Sequence, residues 1–346
     1  MLSRGVPHGS ATPTKGGRKH RRALTLAAKV ILAVLLMLWM AHSGRLDFRD
    51  VATAIRRGPE MALVAGLCYA GYCVMAFRWR VLLVHQGIHA SMRDVFALTM
   101  IGALFNTMIP GAVSGDVVKA YYISIRYPEK KAQAVTTILL DRVLGLTSLL
   151  ILSALAGAWN LSKMTHNGKV AVLYWTVVVA ALAGLALPVT LALMSGRIVK
   201  VAEALAHRFP LLRPVVQGIC AMAAFCKRPF TLAVAFLISL VGQSTTYLAF
   251  YVVGLSIGGQ SVPVAQLLFI IPLGLTAMAL PIAPAGLGVG QVVFYSLFSG
   301  LNPGAGPVGA SMVTIYQAVY VLVSLTGIIF YLTETPIRKA VAIASE

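Results

Sequence analysis

The sequence predicts an all-α polytopic membrane protein with about six full transmembrane helices and two re-entrant or broken helical elements. Three observations carry this. Of 346 residues, 58% are hydrophobic and only 11% are charged, whereas about a quarter of the residues of a soluble domain are charged. Apolar runs of about 20 residues, the length that crosses a bilayer, recur along the chain. The basic residues, 29 Lys and Arg against 10 Asp and Glu, cluster beside those runs, which is the pattern of a positive-inside membrane protein rather than of a nucleic-acid binder. The longest polar interval, 195 to 229, is too short for a soluble catalytic domain.

Residues 1 to 22 are rich in Gly, Pro, Ser, Thr and basic residues and end in Arg18, Lys19, Arg21 and Arg22, so they are expected to form a disordered cytoplasmic tail. The run 23 to 42 resembles the apolar part of a signal peptide, with Ala41-His42-Ser43 as a faint cleavage site. It is nevertheless long enough to span, and a span is expected. Further apolar segments lie at 61 to 79, 95 to 113, 134 to 158, 170 to 194, 230 to 257, 263 to 299 and 308 to 332. Residues 23 to 333 thus form one transmembrane unit, followed by a cytoplasmic tail, 334 to 346, with Arg338 and Lys339.

The basic residues orient these segments. The N-terminal tail and the stretch 195 to 229 carry six Lys and Arg each, while 258 to 262 and 300 to 307 carry none. The first two, with both termini, are expected in the cytoplasm of a bacterium, the protein lying in the inner membrane. Arg45, Arg49, Arg56 and Arg57 run against the bias, accompanied by Asp47, Asp50 and Glu60. The basic stretches 78 to 94 and 114 to 133 share a side only if 95 to 113 enters the membrane and returns. Residues 263 to 299 join two outside stretches and are broken by Pro281, Pro284, Gly286, Gly288 and Gly290, so they read as a second hairpin from the opposite face. Within 195 to 229, Arg197, Lys200, Glu203 and Arg208 alternate with Val199, Ala202, Leu205 and Phe209 at helical spacing. That is the pattern of an amphipathic cytoplasmic helix lying on the inner leaflet.

The two broken elements share a pattern. The first has re-entrant backbone at Pro110, Gly111 and Gly115, and the second at Pro284, Gly286, Gly288 and Gly290. Gly115-Asp116-Val117-Val118 pairs with Gly290-Gln291-Val292-Val293. Approaching from opposite faces, the elements suggest an inverted repeat with a site between broken helices, where freed helix ends meet a ligand's charge. The alternative is a pair of kinks packed for close helix contact.

Charges inside the apolar runs give the second clue. Asp141 and Arg142 interrupt a predicted span, at a cost of about 2.5–3.5 kcal/mol each at a helix centre. Adjacent helical residues point about 100° apart, so each is expected to pair elsewhere: Asp141 with Arg78 or Lys119, Arg142 with Asp116. Such a network either staples helices or meets a substrate, or does both. Arg78-Trp79-Arg80 ends the second span as an interfacial anchor or a phosphate-binding group. Cys68, Cys73, Cys220 and Cys226 form no CxxC pair and read as small core residues. His85 and His89 sit in a loop setting and are not expected to hold a metal. No GxxxxGK[ST], GxGxxG or triad-like pattern occurs, so no catalytic residue, nucleotide or other cofactor is expected.

At Arg78-Trp79-Arg80-Val81-Leu82-Leu83, Phe105-Asn106 through Pro110-Gly111, Gly115 through Tyr122, Asp141-Arg142-Val143-Leu144-Gly145-Leu146 and Pro284-Ala285-Gly286-Leu287-Gly288-Val289, the chain resembles the lysylphosphatidylglycerol synthase transmembrane-region family. That family includes the flippase half of bacterial multiple peptide resistance factors and relatives tied to hopanoid or polyprenyl-linked lipids. The resemblance covers roughly 25 to 333 and implies a membrane-embedded lipid translocator with two re-entrant elements. It also implies a homodimer. The family usually has an acid where this chain has Gln291, and these residues do not include the cytoplasmic aminoacyl-tRNA-dependent transferase domain of full-length members, so aminoacyl transfer is not expected.

On this reading the protein moves a lipid between leaflets, and Arg78, Lys119 and Arg142 meet the lipid phosphate. Asp116 and Asp141 balance those charges or receive a cationic headgroup, and Asn106 and Gln291 supply neutral hydrogen bonds. The partners expected are membrane lipids: an anionic phospholipid, an aminoacylated lipid or a polyprenyl-linked lipid. The alternatives are a membrane transferase with Asp116 or Asp141 as base, and an accessory subunit of a lipid-synthesising enzyme. Neither calls for nucleic acid.

Overall fold

A computed structural model describes residues 52–53, 56–108, 114–159, 168–209, 213–257, 263–278 and 286–333. Among them the regular structure is helical throughout, as hydrocarbon demands of any segment that must satisfy its own backbone. The elements are α1 (Gly58–His85), α2 (Met92–Met108), α3 (Ser114–Arg126), α4 (Lys131–Trp159), α5 (Gly168–Leu193), α6 (Ser195–Arg208), α7 (Arg213–Cys226), α8 (Pro229–Ser256), α9 (Val264–Met278), α10 (Val289–Leu301), α11 (Gly306–Leu325) and α12 (Gly327–Thr333). The expected tails at 1 to 22 and 334 to 346 and the expected span at 23 to 42 lie outside the described residues.

Five stretches are long and apolar enough to cross a membrane: Gly58–His85, Pro128–Trp159, Ala171–Leu193, Pro229–Ser256 and Gly306–Thr333. They coincide with five of the six spans read from the sequence. Proline at the start of α1, α8 and α11 suits the first turn, where its missing N–H has no helical partner to lose. Along α5, Val172, Trp175, Val179, Leu182 and Leu193 are exposed, an apolar face that only lipid or another protein would cover.

Four shorter helices form two packed pairs. α2 and α3 have 17 and 13 residues, and α9 and α10 have 15 and 13. At 1.5 Å per residue these limbs are about 20–26 Å long, short of the roughly 30 Å hydrocarbon core. Each pair is therefore two part-crossing helices packed together. The return limb of the first pair is α3, which the sequence reading left in the basic stretch 114 to 133. Asp116, Lys119 and Arg126 on this limb dilute its hydropathy below that of a membrane segment.

The hairpins are fastened at corresponding points. At the base of the first, Arg126 Nη2 lies 2.6 Å from Asp94 Oδ2. At the base of the second, Asn302 Nδ2 donates to Gln266 Oε1 at 2.5 Å. Toward the tips, Asn106 Oδ1 accepts the Gly115 N–H at 2.7 Å and caps α3, while Gln291 Oε1 accepts the Gly288 N–H at 2.7 Å and caps α10. Asp116 and Gln291 both occupy the third position of their helix, as the paired motifs require. Gly102 and Gly115 bring α2 and α3 together: a Cβ on Gly115 would overlap the Gly102 carbonyl. Gly286 and Gly288 have φ of 69° and 79°, a region that strains residues bearing a Cβ. Pro110, Gly111 and Pro284 lie outside the described residues.

The core runs through both halves. α8 packs along α1, and the Phe250 ring stacks between Phe294 of α10, 5.4 Å away, and Tyr316 of α11, 4.3 Å away. Of the cysteines expected in the core, Cys226 is buried but Cys73 is exposed. The helix expected over 197 to 209 is α6, with Arg197 and Lys200 exposed beside exposed Val201 and Leu205, and α7 is a second helix in the same connection.

Candidate functional site

A cavity of about 430 Å³ opens between α1, α2, α3, α4, α8, α9 and α11. Six of the seven headgroup-binding residues expected from the sequence line it: Arg78, Asn106, Asp116, Lys119, Asp141 and Arg142. They come from four successive helices, α1 to α4, and their charges are interlocked.

Arg78 ends the apolar stretch of α1 and is only 5% exposed. Its Nε donates to Asp141 Oδ1 at 2.6 Å and its Nη1 to Ser239 Oγ at 2.8 Å. The guanidinium lies against Gly145, where an added Cβ would come within 3.3 Å of Nη1. One residue on from Asp141, Arg142 points elsewhere, as the helical twist requires, and its Nε donates to Asp116 Oδ2. Asp116 also faces Lys119 Nζ at 3.9 Å. That ammonium stands 5.2 Å from the centre of the Trp79 ring, within cation–π range. Both carboxylates are thus paired with an arginine, as the sequence led us to expect. The first-half wall holds three cations and two acids, a net charge of +1 (3 − 2).

Trp79 is not the interfacial anchor that Arg78-Trp79-Arg80 suggested. It is 1% exposed, and its Nε1 donates to Thr137 Oγ1 at 3.1 Å. Arg80 turns away from the cavity to the Ala90 carbonyl. Asn106 lines the cavity but uses Oδ1 to hold the start of α3. Gln291 is not among the lining residues. It is fully buried, and its Nε2 donates to Gln317 Oε1 at 2.7 Å and Thr314 Oγ1 at 3.1 Å, so its amide holds the second hairpin to α11.

The opposite wall was not read from the sequence. It consists of Ser239, Gln243, Thr245 and Thr246 on α8, Thr276 on α9, and Tyr316 and Tyr320 on α11. A signal was available: Gln243-Ser244-Thr245-Thr246 is a polar run inside an apolar span, and Tyr316 and Tyr320 share a helix face. Leu67, Met75, Leu146, Leu149, Ile238 and Leu275 complete the lining with apolar surface, and Met75, Arg142 and Leu146 remain exposed. The cavity therefore joins a charged, buried pole to an apolar wall. Among the described residues no group of three or more His, Cys, Asp or Glu is placed to hold a metal ion.

Five membrane-length helices, two part-crossing hairpins and an ion-paired cavity define a multi-pass helical membrane protein with a polar site among its helices. The chain belongs to the family described as the lysylphosphatidylglycerol synthase TM region, whose model matches residues 26–327, and so to membrane proteins of lipid-related processes. Comparison with curated proteins and comparison with solved structures each gave no match.

Proposed function

We propose that this protein moves a lipid with a polar or phosphorylated headgroup between the leaflets of a bacterial inner membrane, as a flippase does. The headgroup enters the cavity and the acyl chains stay in the bilayer along its apolar wall. Both termini face the cytoplasm. The observation that carries this reading is the convergence of Arg78, Lys119 and Arg142 on one cavity lined in part by membrane-length helices. Taking a phosphate out of water is costly, and cations already held in place by ion pairs, Arg78 and Lys119 buried and Arg142 at the exposed edge, offset that cost without further ordering. The volume of about 430 Å³ lies within the range of about 300–1,000 Å³ usual for small-molecule sites. Passive exchange needs no coupled ion or nucleotide.

The test is leaflet accessibility of labelled phosphatidylglycerol, an aminoacylated phosphatidylglycerol and a polyprenyl phosphate in liposomes containing the purified protein. Exchange of at least one of these lipids is expected. It should fall by about tenfold or more, equivalent to about 1.4 kcal/mol of barrier, in Asp116→Asn combined with Arg142→Gln at equal folded protein. Absence of exchange for every lipid would sink this reading.

A further inference from the structure

The charge distribution around the cavity narrows the lipid. The first-half wall carries a net charge of +1, and each of its two acids is bonded to an arginine. The second-half wall is neutral. Between residues 143 and 333 the chain contains one acidic residue, Glu203 of α6, and none of the residues named for the second-half wall is acidic. At the position of α10 that corresponds to Asp116 stands Gln291, committed to Gly288, Thr314 and Gln317. An ammonium entering the cavity would therefore share a carboxylate that an arginine already neutralises, while adding to a wall of net positive charge. An anion displaces nothing. Lys119, 3.9 Å from Asp116 and so farther from its carboxylate than Arg78 and Arg142 are from theirs, supplies the least committed positive charge of the three. The neutral wall offers hydroxyls and an amide, from Thr245, Thr246, Thr276, Tyr316 and Gln243; Thr245 and Thr276, whose O–H groups donate to the Gly242 and Pro272 carbonyls, present acceptors to a polyol.

We infer that the cavity selects lipids whose headgroup is a phosphate ester carrying hydroxyls, a glycerol or a sugar, with net negative charge, and that it discriminates against aminoacylated headgroups. This rests on the reading of the cavity as a headgroup site. The family's description names an aminoacylated lipid, but the charges of this chain favour the opposite sign. The neutral wall and the Arg-bound acids are the determinants, with Lys119 and Gln243 the two residues through which the preference is adjustable.

The experiment is equilibrium binding by calorimetry to the full chain in phosphatidylcholine nanodiscs. The probes are short-chain phosphatidylglycerol, its lysyl ester, short-chain phosphatidylcholine and a polyprenyl phosphosugar. Phosphatidylglycerol or the phosphosugar is expected to bind about tenfold or more tightly than the lysyl ester, and whichever of the two binds fixes the source of the phosphate ester. Lys119→Gln is expected to reduce that preference to about threefold or less, and Gln243→Glu to do the same by placing a carboxylate on the neutral wall. Equal or tighter binding of the lysyl ester to the unmodified protein would overturn the inference whatever the variants do, and so would binding of none of the four probes. Exchange in liposomes separates the two readings. Charge-selective binding without exchange counts against translocation alone, and exchange with no charge preference in binding counts against selectivity alone.

Discussion

At the scale of single residues the site depends on charges that cannot be removed one at a time. Arg78 is buried with Asp141 as its ionic partner and Ser239 as its second acceptor. Breaking a buried pair by neutralising one member leaves the other desolvated without compensation, at about 3–5 kcal/mol, whereas replacing both by apolar residues of similar volume is close to neutral. Asp141→Asn is therefore expected to lower the thermal unfolding midpoint in detergent, while Arg78→Met with Asp141→Leu restores the midpoint and still abolishes lipid exchange. A double variant that exchanged lipid normally would reduce this pair to a staple. The pair was legible in the sequence because charge inside an apolar run is conspicuous and the helical twist separates neighbours. Ser239 was not, because a serine in an apolar helix usually bonds its own backbone, as Ser239 Oγ also does to Ala235.

At the scale of elements the two hairpins use the same design with different chemistry. The base of one is an ion pair, Asp94 with Arg126, and the base of the other an amide pair, Gln266 with Asn302. The ion pair is partly exposed, and such pairs contribute at most about 1 kcal/mol. Asp94→Asn with Arg126→Gln should thus leave the unfolding midpoint nearly unchanged. Gln266 is buried, so Asn302→Leu, which leaves it without that partner, should cost about 1–3 kcal/mol and lower the midpoint visibly. The α3 cap makes a different prediction. Asn106→Ala removes the acceptor for the Gly115 N–H at about 0.5–2 kcal/mol, and it loosens the turn that aims Asp116 at Arg142. Lipid exchange is expected to fall by more than the midpoint shift alone would explain. Sequence reading found the hairpins through their Pro and Gly breaks, but it missed that α3 is a helical limb. Hydropathy averages over a helix, and a limb whose polar residues face its partners scores as a loop.

At the scale of the whole molecule, the five long helices fix a parity that the local patterns cannot. Between the base of the first hairpin and the base of the second, the chain runs through three membrane-length stretches, α4, α5 and α8. Three crossings are odd, so the bases belong on opposite faces, which is what an inverted repeat requires. The connection between α5 and α8 supplies an independent check. Gln217, Cys220 and Ala221 of α7 share a recess with Pro128, Lys131 and Gln133 beside the first hairpin's base, and Arg228 Nη1 reaches the His85 carbonyl. Residues 213–228 thus lie on the same face as that base, as two crossings through α4 and α5 demand. This face carries Arg93, Arg126, Lys130, Lys131, Arg197, Lys200, Arg213, Lys227 and Arg228, whereas the connections 258 to 262 and 300 to 307 contain no Lys or Arg, so under the positive-inside bias it is the face we propose as cytoplasmic. With the four native cysteines replaced by alanine, a cysteine at Glu129→Cys should react with a membrane-impermeant maleimide only in inverted membrane vesicles, and one at Pro303→Cys only in intact spheroplasts. Labelling of both from one side would break the parity and with it the inverted repeat, because one of the three stretches between them would then fail to cross or the second hairpin would cross fully.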